Sequence, residues 1–226
     1  MSRQVKQPVI YLITSGATNA QTTPASEEFL EILKLIADAV AAKVSLIQLR
    51  EKNLSARVLF ELTNQAAQLT RASETRLLVN DRADVARAAG ADGVHLTAHS
   101  LGADVMRRTF GPDFLIGVSS HSIAEARAAR AANADFAVWG PVFATGSKNA
   151  FGAPQGVTKL QTVVRDVAPF PIIALGGINA DNFVSCLEAG ASGIAGIGLF
   201  QDRGSLTETV TRIREVFEQN GKKRKV

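Results

Sequence analysis

Three short, similar segments recur along the chain: AAGADGV at residues 88–94, AANADF at residues 131–136 and EAGASGI at residues 188–194. Each joins a segment whose apolar residues have helical spacing to a short run of aliphatic or aromatic residues. Sequence that repeats at the same kind of junction is typical of a fold assembled from repeated units. The repeated junction therefore predicts a chain of alternating helices and strands.

Eight apolar runs of strand length alternate with eight longer segments that have helical periodicity. The predicted strands are residues 9–13, 46–49, 77–79, 93–96, 115–118, 136–139, 172–175 and 193–197. The predicted helices are residues 26–43, 55–72, 82–89, 101–109, 122–132, 158–167, 179–189 and 205–220. Strands joined through helices pair in parallel, and a parallel sheet needs both faces covered. This favours the α/β class and a single (β/α)8 TIM barrel, with an open doubly wound sheet as the alternative.

Composition agrees with one globular domain, because 46% of the 226 residues are hydrophobic and 20% are charged. We expect that domain to cover residues 1–220, followed by a basic tail at residues 221–226. The tail holds four cations, which account for the net charge of +4, so the body of the chain is neutral. No apolar run approaches membrane-spanning length. We therefore expect neither nucleic acid nor a membrane as a partner.

The chain has a single cysteine, Cys186, so it cannot form an internal disulfide. A reducing cytoplasm is the natural compartment for such a chain, and the first residues have no signal-peptide pattern. We therefore expect a cytoplasmic protein. Association into a homo-oligomer through helical faces is left open.

Polar side chains follow the predicted second strand, where a barrel places its active site. This strand ends in Gln48-Leu49-Arg50-Glu51-Lys52. Alternation puts Gln48, Arg50 and Lys52 on the side of the barrel mouth. Two cations and an amide there suit a polyanion attached to a heterocycle. The alternative is an exposed loop with an Arg/Glu surface pair.

Two further strands end in residues that could bind a ligand or take part in catalysis. Asn80 and Asp81 follow the third strand and suit Mg²⁺ that carries pyrophosphate, although Asp81 could instead cap the next helix. His121 follows the fifth strand and could exchange protons near neutral pH, or could be an exposed residue beside serine caps. His95, within the fourth strand, is expected to be an interior residue with satisfied hydrogen bonds.

Two glycine-containing loops suit a phosphate group. Residues 140–148 form a loop with hydroxyls and a terminal lysine, which are the groups that hold phosphate or pyrophosphate. A glycine pair, Gly176 and Gly177, follows the seventh strand, and Gly198 follows the eighth. In such barrels, loops after these two strands form the usual phosphate site.

With these residues assembled, the chain resembles the thiamine phosphate synthases and their sister family, the thiazole tautomerases, from about Tyr11 to Phe200. The motifs that carry this resemblance are residues 48–52, 80–82, 93–96, 117–121, 140–148 and 176–178. The resemblance implies a transferase of thiamine biosynthesis. It would join hydroxymethylpyrimidine pyrophosphate to thiazole phosphate, with release of pyrophosphate and with Mg²⁺ as the cofactor.

The resemblance also implies a role for each matching residue. The pyrimidine and its pyrophosphate would be bound by Gln48, Arg50, Lys52 and Asn80. The leaving pyrophosphate would be contacted by Ser119 and Lys148. The thiazole phosphate would be held by Thr145, Ser147, Gly177, Ile197 and Gly198. Asp81 would bind Mg²⁺, and the predicted catalytic set is Arg50, Lys52, Ser119, His121 and Lys148.

One segment departs from the synthase pattern. Synthases usually carry a second magnesium-binding aspartate after the fourth strand, where this chain has Ser100. Loss of a carboxylate weakens a site for a hard cation and is a feature of the tautomerases, in which the residue at the place of His121 is the acid and base. Retention of Lys52, Asn80 and Asp81 favours the synthase. The tautomerase and a non-catalytic protein that binds thiazole or thiamine phosphate are the alternatives.

Overall fold

The computed structural model describes residues 6–145 and 153–223, and within them eight parallel strands close into a barrel in sequence order. The strands are β1 (Val9–Ile13), β2 (Leu46–Leu49), β3 (Arg76–Asn80), β4 (Gly93–Leu96), β5 (Leu115–Ser120), β6 (Phe136–Trp139), β7 (Ile172–Ala174) and β8 (Gly193–Gly196). Because β1 pairs with both β2 and β8, the sheet has no free edge. The predicted (β/α)8 barrel is confirmed, and the open sheet is excluded.

Each strand is followed by a helix. The helices are α1 (Glu27–Ala41), α2 (Ala56–Thr70), α3 (Ala83–Ala89), α4 (Ala103–Phe110), α5 (Ile123–Ala131), α6 (Gly156–Val167), α7 (Phe183–Glu188) and α8 (Leu206–Lys223). A short 3₁₀ helix, Gly198–Phe200, lies between β8 and α8. None of the helices in the described ranges is long and apolar enough to cross a membrane.

Two kinds of apolar packing hold the barrel together. Side chains that alternate along the strands fill the interior with a separate cluster, in which Tyr11 and Phe136 meet edge to face at 5.7 Å. The intervening strand residues pack outward against the helices. Most strand residues are therefore buried on both faces, which explains why the strands are mainly apolar rather than alternating regularly with polar residues.

The helix starts test the predicted capping residues. The Ser55 and Ser122 hydroxyls accept hydrogen bonds from the backbone N–H groups three residues ahead, as expected of N-caps. The predicted start of the seventh helix at Asn179 is wrong. The Asn179 side chain accepts from the N–H groups of Asp181 and Asn182, which stabilises a turn, and the helix begins at Phe183.

The last helix enters the segment that the sequence separates as a basic tail. α8 continues through Lys223, and residues 224–226 lie outside the described residues. The domain limits at residues 220 and 221 stay a prediction.

Candidate active site

Gln48 and Asn80 meet where β2 and β3 end. Both occupy strand positions that face the barrel interior, in line with Leu46 and Leu78 of the interior cluster. The Gln48 amide nitrogen donates to Asn80 Oδ1 at 3.1 Å, and Gln48 is buried. The pair presents fixed amide groups at the floor of the mouth, because each side chain orients the other.

The residues after β2 place a cation at the same rim. Arg50 is half-buried, and its backbone N–H donates to the hydroxyl of buried Thr14 at 2.8 Å. The backbone of Arg50 is therefore held independently of its guanidinium. Lys52, two residues further on, is exposed.

Glu51 holds the loop between β1 and α1 against this rim. Its buried carboxylate accepts the backbone N–H of Gly16 at 3.1 Å, the backbone N–H of Thr18 at 3.2 Å and the Thr18 hydroxyl at 2.7 Å. Several hydrogen bonds to one buried carboxylate satisfy its charge. Glu51 is thus part of the wall of the mouth and not half of an exposed Arg/Glu pair.

Asp81 lies beside Ser100. The Ser100 hydroxyl donates to Asp81 Oδ1 and also accepts the N–H of Thr97 at 2.8 Å. The first residue of α3 has no side-chain cap, so Asp81 does not serve as the predicted helix cap. Ser100 stands where synthases usually carry a second magnesium-binding aspartate, and the structure places it next to Asp81.

This arrangement can be tested as a magnesium site. Mg²⁺ keeps several waters and is often bound through one or two carboxylates together with substrate phosphates. Asp81 offers one carboxylate and Ser100 offers a hydroxyl oxygen beside it. Within the described ranges, no three His, Cys, Asp or Glu residues form a cluster that could bind a metal by themselves. The residues therefore fit a magnesium ion that arrives with a phosphorylated ligand.

Tyr11, His95 and Ser119 form a hydrogen-bonded row across the barrel. The Tyr11 hydroxyl lies 3.2 Å from His95 Nδ1, and His95 Nε2 lies 2.9 Å from Ser119 Oγ. Tyr11 and His95 are buried, whereas Ser119 is half-buried. The prediction that His95 is a satisfied interior residue is confirmed, and its partner Ser119 is a predicted site residue.

Burial makes the stability of the protein depend on pH through His95. Burial, reinforced by the nearby charge of Arg50, lowers the pKa of His95 to about 3. In the unfolded chain the imidazole takes up a proton near pH 6.5, whereas in the native protein it does so only near pH 3. The free energy of unfolding should therefore fall by about 1.4 kcal/mol for each pH unit as the pH is lowered between these two values. Urea unfolding at pH 7 and pH 5 should show a loss about 2 kcal/mol larger in the native protein than in His95→Gln.

The exposed His99 provides the control for this measurement. His99→Gln should keep the pH dependence of the native protein. An equal loss of stability in the native protein and in His95→Gln would contradict the assignment of a neutral, buried His95.

His121 is held by the start of α5 and by β6. Its backbone N–H donates to Glu125 Oε2 at 2.6 Å, and its ring Nδ1 lies 2.5 Å from the carbonyl oxygen of Gly140. Because a carbonyl only accepts, Nδ1 must carry the proton, which leaves Nε2 to accept or exchange one. His121 is half-buried, so it is not the fully exposed residue that the sequence offered as the alternative.

The glycine pair after β7 packs directly on the loop after β6. The Phe143 N–H donates to the Gly176 carbonyl at 2.9 Å, and Gly177 has a φ of +62°. A Cβ added to Gly177 would lie 2.3 Å from the Ala144 carbonyl oxygen. Only glycine fits this close approach, so the two predicted phosphate loops form one wall.

The remaining predicted residues fall in three places. Thr145 follows Ala144 in the loop after β6, and Ile197 and Gly198 follow β8, the strand paired with β7. Ser147 and Lys148 lie outside the described residues. The structure thus brings together the ends of β2, β3 and β5 on one side of the mouth and the loops after β6, β7 and β8 on the other.

Sequence reasoning assigned no role in the site to Tyr11 or Glu51. Two signals pointed to them. Tyr11 is the only tyrosine of the chain and lies in an aliphatic strand, where a buried hydroxyl needs a partner. Glu51 lies two residues after an aliphatic strand, where a carboxylate becomes buried only if several donors satisfy it.

Barrels of this fold bind the phosphate groups of their ligands at loops after the seventh and eighth strands. Here the loop after β7 carries the glycine pair, and β8 is followed by Ile197 and Gly198. An arginine, two amides and a hydroxyl line the opposite rim. The fold and the site therefore define a (β/α)8-barrel enzyme that acts on phosphorylated small molecules.

The particular family follows from comparison with known proteins. Residues 10–200 match the model of the thiamine monophosphate synthase family, and the chain belongs to that family. It is 46% identical over 165 residues to a putative thiamine-phosphate synthase of Geobacter sulfurreducens, covering 73% of this chain and 77% of the relative. It is 40% identical over 184 residues to the thiamine-phosphate synthase of Moorella thermoacetica, covering 81% and 87%.

A solved structure supports the same assignment. The thiamine phosphate pyrophosphorylase from Pyrococcus furiosus superimposes with a TM-score of 0.77 and 29% identity, covering 95% of this chain and 98% of the other. 3-Hexulose-6-phosphate synthase, at 15% identity and a TM-score of 0.63, shares the fold alone.

Proposed function

We propose that this protein is a thiamine-phosphate synthase. It joins the methylene carbon of hydroxymethylpyrimidine pyrophosphate to the ring nitrogen of thiazole phosphate and releases pyrophosphate. The observation that carries the proposal is the 40% identity to the Moorella thermoacetica synthase over 87% of that protein. The cationic and amide-lined rim at β2, β3 and β5 supports it, because these groups suit a pyrophosphate attached to a heterocycle.

The reaction needs charge stabilisation more than a nucleophile. The C–O bond of the pyrimidine substrate breaks with its electron pair leaving on pyrophosphate, and the thiazole nitrogen supplies the pair for the new C–N bond. Arg50, Lys52 and the Ser119 hydroxyl would stabilise the negative charge that develops on the leaving group. Gln48 and Asn80 would hold the pyrimidine ring by hydrogen bonds. Cleavage of the C–O bond leaves a pyrimidinyl cation, so water must be kept from the reacting carbon until the thiazole nitrogen attacks it.

Asp81 would hold Mg²⁺ together with the pyrophosphate oxygens, with the Ser100 hydroxyl beside it. When bound, the metal supplies positive charge to the leaving group. A single carboxylate makes the metal depend on the pyrophosphate for most of its affinity. Binding of Mg²⁺ should therefore be weak in the free protein and stronger in the presence of pyrophosphate, as titration calorimetry can measure.

The thiazole phosphate would occupy the opposite wall. Gly177, Ile197 and Gly198 would bind it through backbone amides, and Thr145 would add a hydroxyl. Ser147 would join them. Lys148 would contact the leaving pyrophosphate. We place the reaction in the cytoplasm, in keeping with a chain whose one cysteine is buried and free.

The tautomerase remains a second candidate because of His121. Its Nδ1 faces a carbonyl oxygen, so Nε2 is free to move a proton on a bound thiazole. Such proton transfer needs neither pyrophosphate nor a metal.

One assay distinguishes the two functions. Purified protein mixed with both phosphorylated precursors and Mg²⁺ should form thiamine phosphate and an equal amount of pyrophosphate, and chelation of Mg²⁺ should suppress both. Absence of thiamine phosphate, together with isomerisation of the thiazole carboxylate phosphate that is lost in His121→Ala and kept in His99→Ala, would replace the synthase with the tautomerase.

A further inference from the structure

The row of Tyr11, His95 and Ser119 connects the centre of the barrel to its mouth. The three residues come from β1, β4 and β5, and Tyr11 and His95 are 84 residues apart in sequence. Tyr11 is 0% exposed and His95 is 3% exposed, so water cannot replace the hydrogen bonds between them. The hydrogen-bonding groups of Tyr11 and His95 must therefore find their partners within the row.

The Tyr11 hydroxyl determines which group donates in each hydrogen bond of the row. Within residues 6–145 and 153–223, its one hydrogen-bond partner is Nδ1 of His95. Burial raises the pKa of Tyr11 well above its ordinary value, so the hydroxyl keeps its proton. If His95 Nδ1 carried a proton as well, the Tyr11 proton would be a buried donor without an acceptor, which native structures avoid. Tyr11 therefore donates and His95 Nδ1 accepts.

The other ring nitrogen follows from this assignment. A neutral imidazole with an accepting Nδ1 has its proton on Nε2. Because Nδ1 accepts the bond from Tyr11, it carries no proton, and only Nε2 of this buried ring is protonated. Nε2 then donates to Ser119 Oγ at 2.9 Å, and the hydroxyl of Ser119 accepts this bond.

We propose that His95 is a positioning residue that Tyr11 fixes in its Nε2–H tautomer, so that the Ser119 hydroxyl must direct its own proton toward an anionic ligand in the barrel mouth. Ser119 is half-buried where β5 ends, so its hydroxyl can donate its proton to a group in the barrel mouth. A hydroxyl that already accepts one bond is a pre-oriented donor for a phosphate-type oxygen. That the anion is the pyrophosphate rests on the proposed function.

The surroundings prevent the His95 ring from turning away. Its ring centroid lies 5.8 Å from that of Tyr11 and 6.3 Å from that of Phe136. A Cβ added to Gly117 would lie 2.9 Å from His95 Nδ1 and 2.4 Å from the Phe136 ring. The absence of a side chain at Gly117 therefore leaves space that both rings use, and the orientation of the His95 ring is held by packing as well as by hydrogen bonds.

The tautomer can be observed directly, with no substrate present. The chain has three histidines, so side-chain ¹⁵N–¹H correlation spectra of the labelled protein can be assigned with His95→Gln, His99→Gln and His121→Gln. We expect His95 to be in the Nε2–H form in the native protein. In Tyr11→Phe, which keeps the aromatic packing, Nδ1 loses its donor and the Nδ1–H form should gain population. An Nδ1–H tautomer in the native protein would overturn the proposal.

Kinetics test the effect on Ser119. Ser119→Ala should lower kcat by about 10²-fold, and His95→Leu should lower it nearly as much. The double variant should be no slower than Ser119→Ala, because both changes remove the same oriented donor. His95→Gln, whose amide can still donate to Ser119, should recover most of the activity.

Controls separate these outcomes from misfolding and from a wrong function. Thr63→Val removes another buried hydroxyl hydrogen bond, within α2, and should leave kcat unchanged. Each variant is compared by circular dichroism and thermal unfolding. Additive losses in the double variant, or no recovery in His95→Gln, would overturn the positioning role. Failure of the native protein to form thiamine phosphate would overturn the proposed function, whereas the spectra would still decide the tautomer.

Discussion

Replacement of Arg50 by alanine is expected to lower kcat for thiamine phosphate formation by about 10²- to 10³-fold, the range seen when one group that stabilises developing charge is removed. Arg50 is half-buried at the mouth, and its charge reaches the interior, where it helps to lower the pKa of His95. A cation in such a partly water-excluded position acts strongly on a leaving pyrophosphate. The measurement is the initial rate of pyrophosphate release at saturating concentrations of both substrates.

Two variants complete this experiment. Arg50→Lys keeps the charge but loses the planar fork that binds two phosphate oxygens at once, and it should be intermediate. Arg57→Ala removes an exposed cation from the first turns of α2 and should have no effect. The backbone of Arg50 is held by the Thr14 hydroxyl, so folding should survive. A rate for Arg50→Ala within twofold of the native rate would exclude Arg50 from the chemistry.

The second large effect is expected at Gly177. Gly177→Ala places a Cβ 2.3 Å from the Ala144 carbonyl oxygen and 2.8 Å from Phe143, in a backbone conformation with a φ of +62°. The loops after β6 and β7 must then separate. Because they form one wall of the site, we expect the KM for thiazole phosphate to rise by at least about tenfold, which corresponds to about 1.4 kcal/mol. The KM for the pyrimidine substrate should change much less.

Gly221→Ala is the matched control for this variant. A Cβ at Gly221 would meet nothing within 4 Å, and the position lies in α8, remote from the mouth. Alanine is also a better helix former than glycine, so stability should not fall. Equal increases in both KM values for Gly177→Ala would mean that the whole mouth is disturbed, and the assignment of this wall to thiazole phosphate would fail.

The strands could be predicted closely because of their burial. The bounds of β1, β2, β4 and β6 equal those expected from the aliphatic runs. Residues of these strands are buried on both faces, so the apolar run ends where the strand leaves the barrel. The seventh helix was predicted less well. Asparagine is a common helix cap, but the Asn179 side chain stabilises a turn instead. Local sequence does not distinguish these two roles.

In the site, too, some residues could be placed from the sequence and some contacts could not. Gln48, Asn80 and Ser119 could be placed at one rim because parallel strands end on the same side of the barrel and alternation selects the inward face. The contact of Ser100 with Asp81 and the hold of Glu51 on the loop after β1 could not be predicted, because they join segments 19 and more than 30 residues apart. Such contacts depend on side-chain directions, which carry no periodic signal.

Local sequence alone therefore determined the alternation of eight strands with eight helices and the rim where chemistry takes place, since periodicity and burial act over a few neighbouring residues. It left an open sheet as an alternative, which the pairing of β1 with β8 excludes. Only the tertiary structure decided the proton direction in the row of Tyr11, His95 and Ser119 and the closure of the wall at Gly177. The physical reason is that a hydrogen-bond direction or a close backbone approach is defined by which distant groups share a space without water, and that becomes known only when the strands are in register.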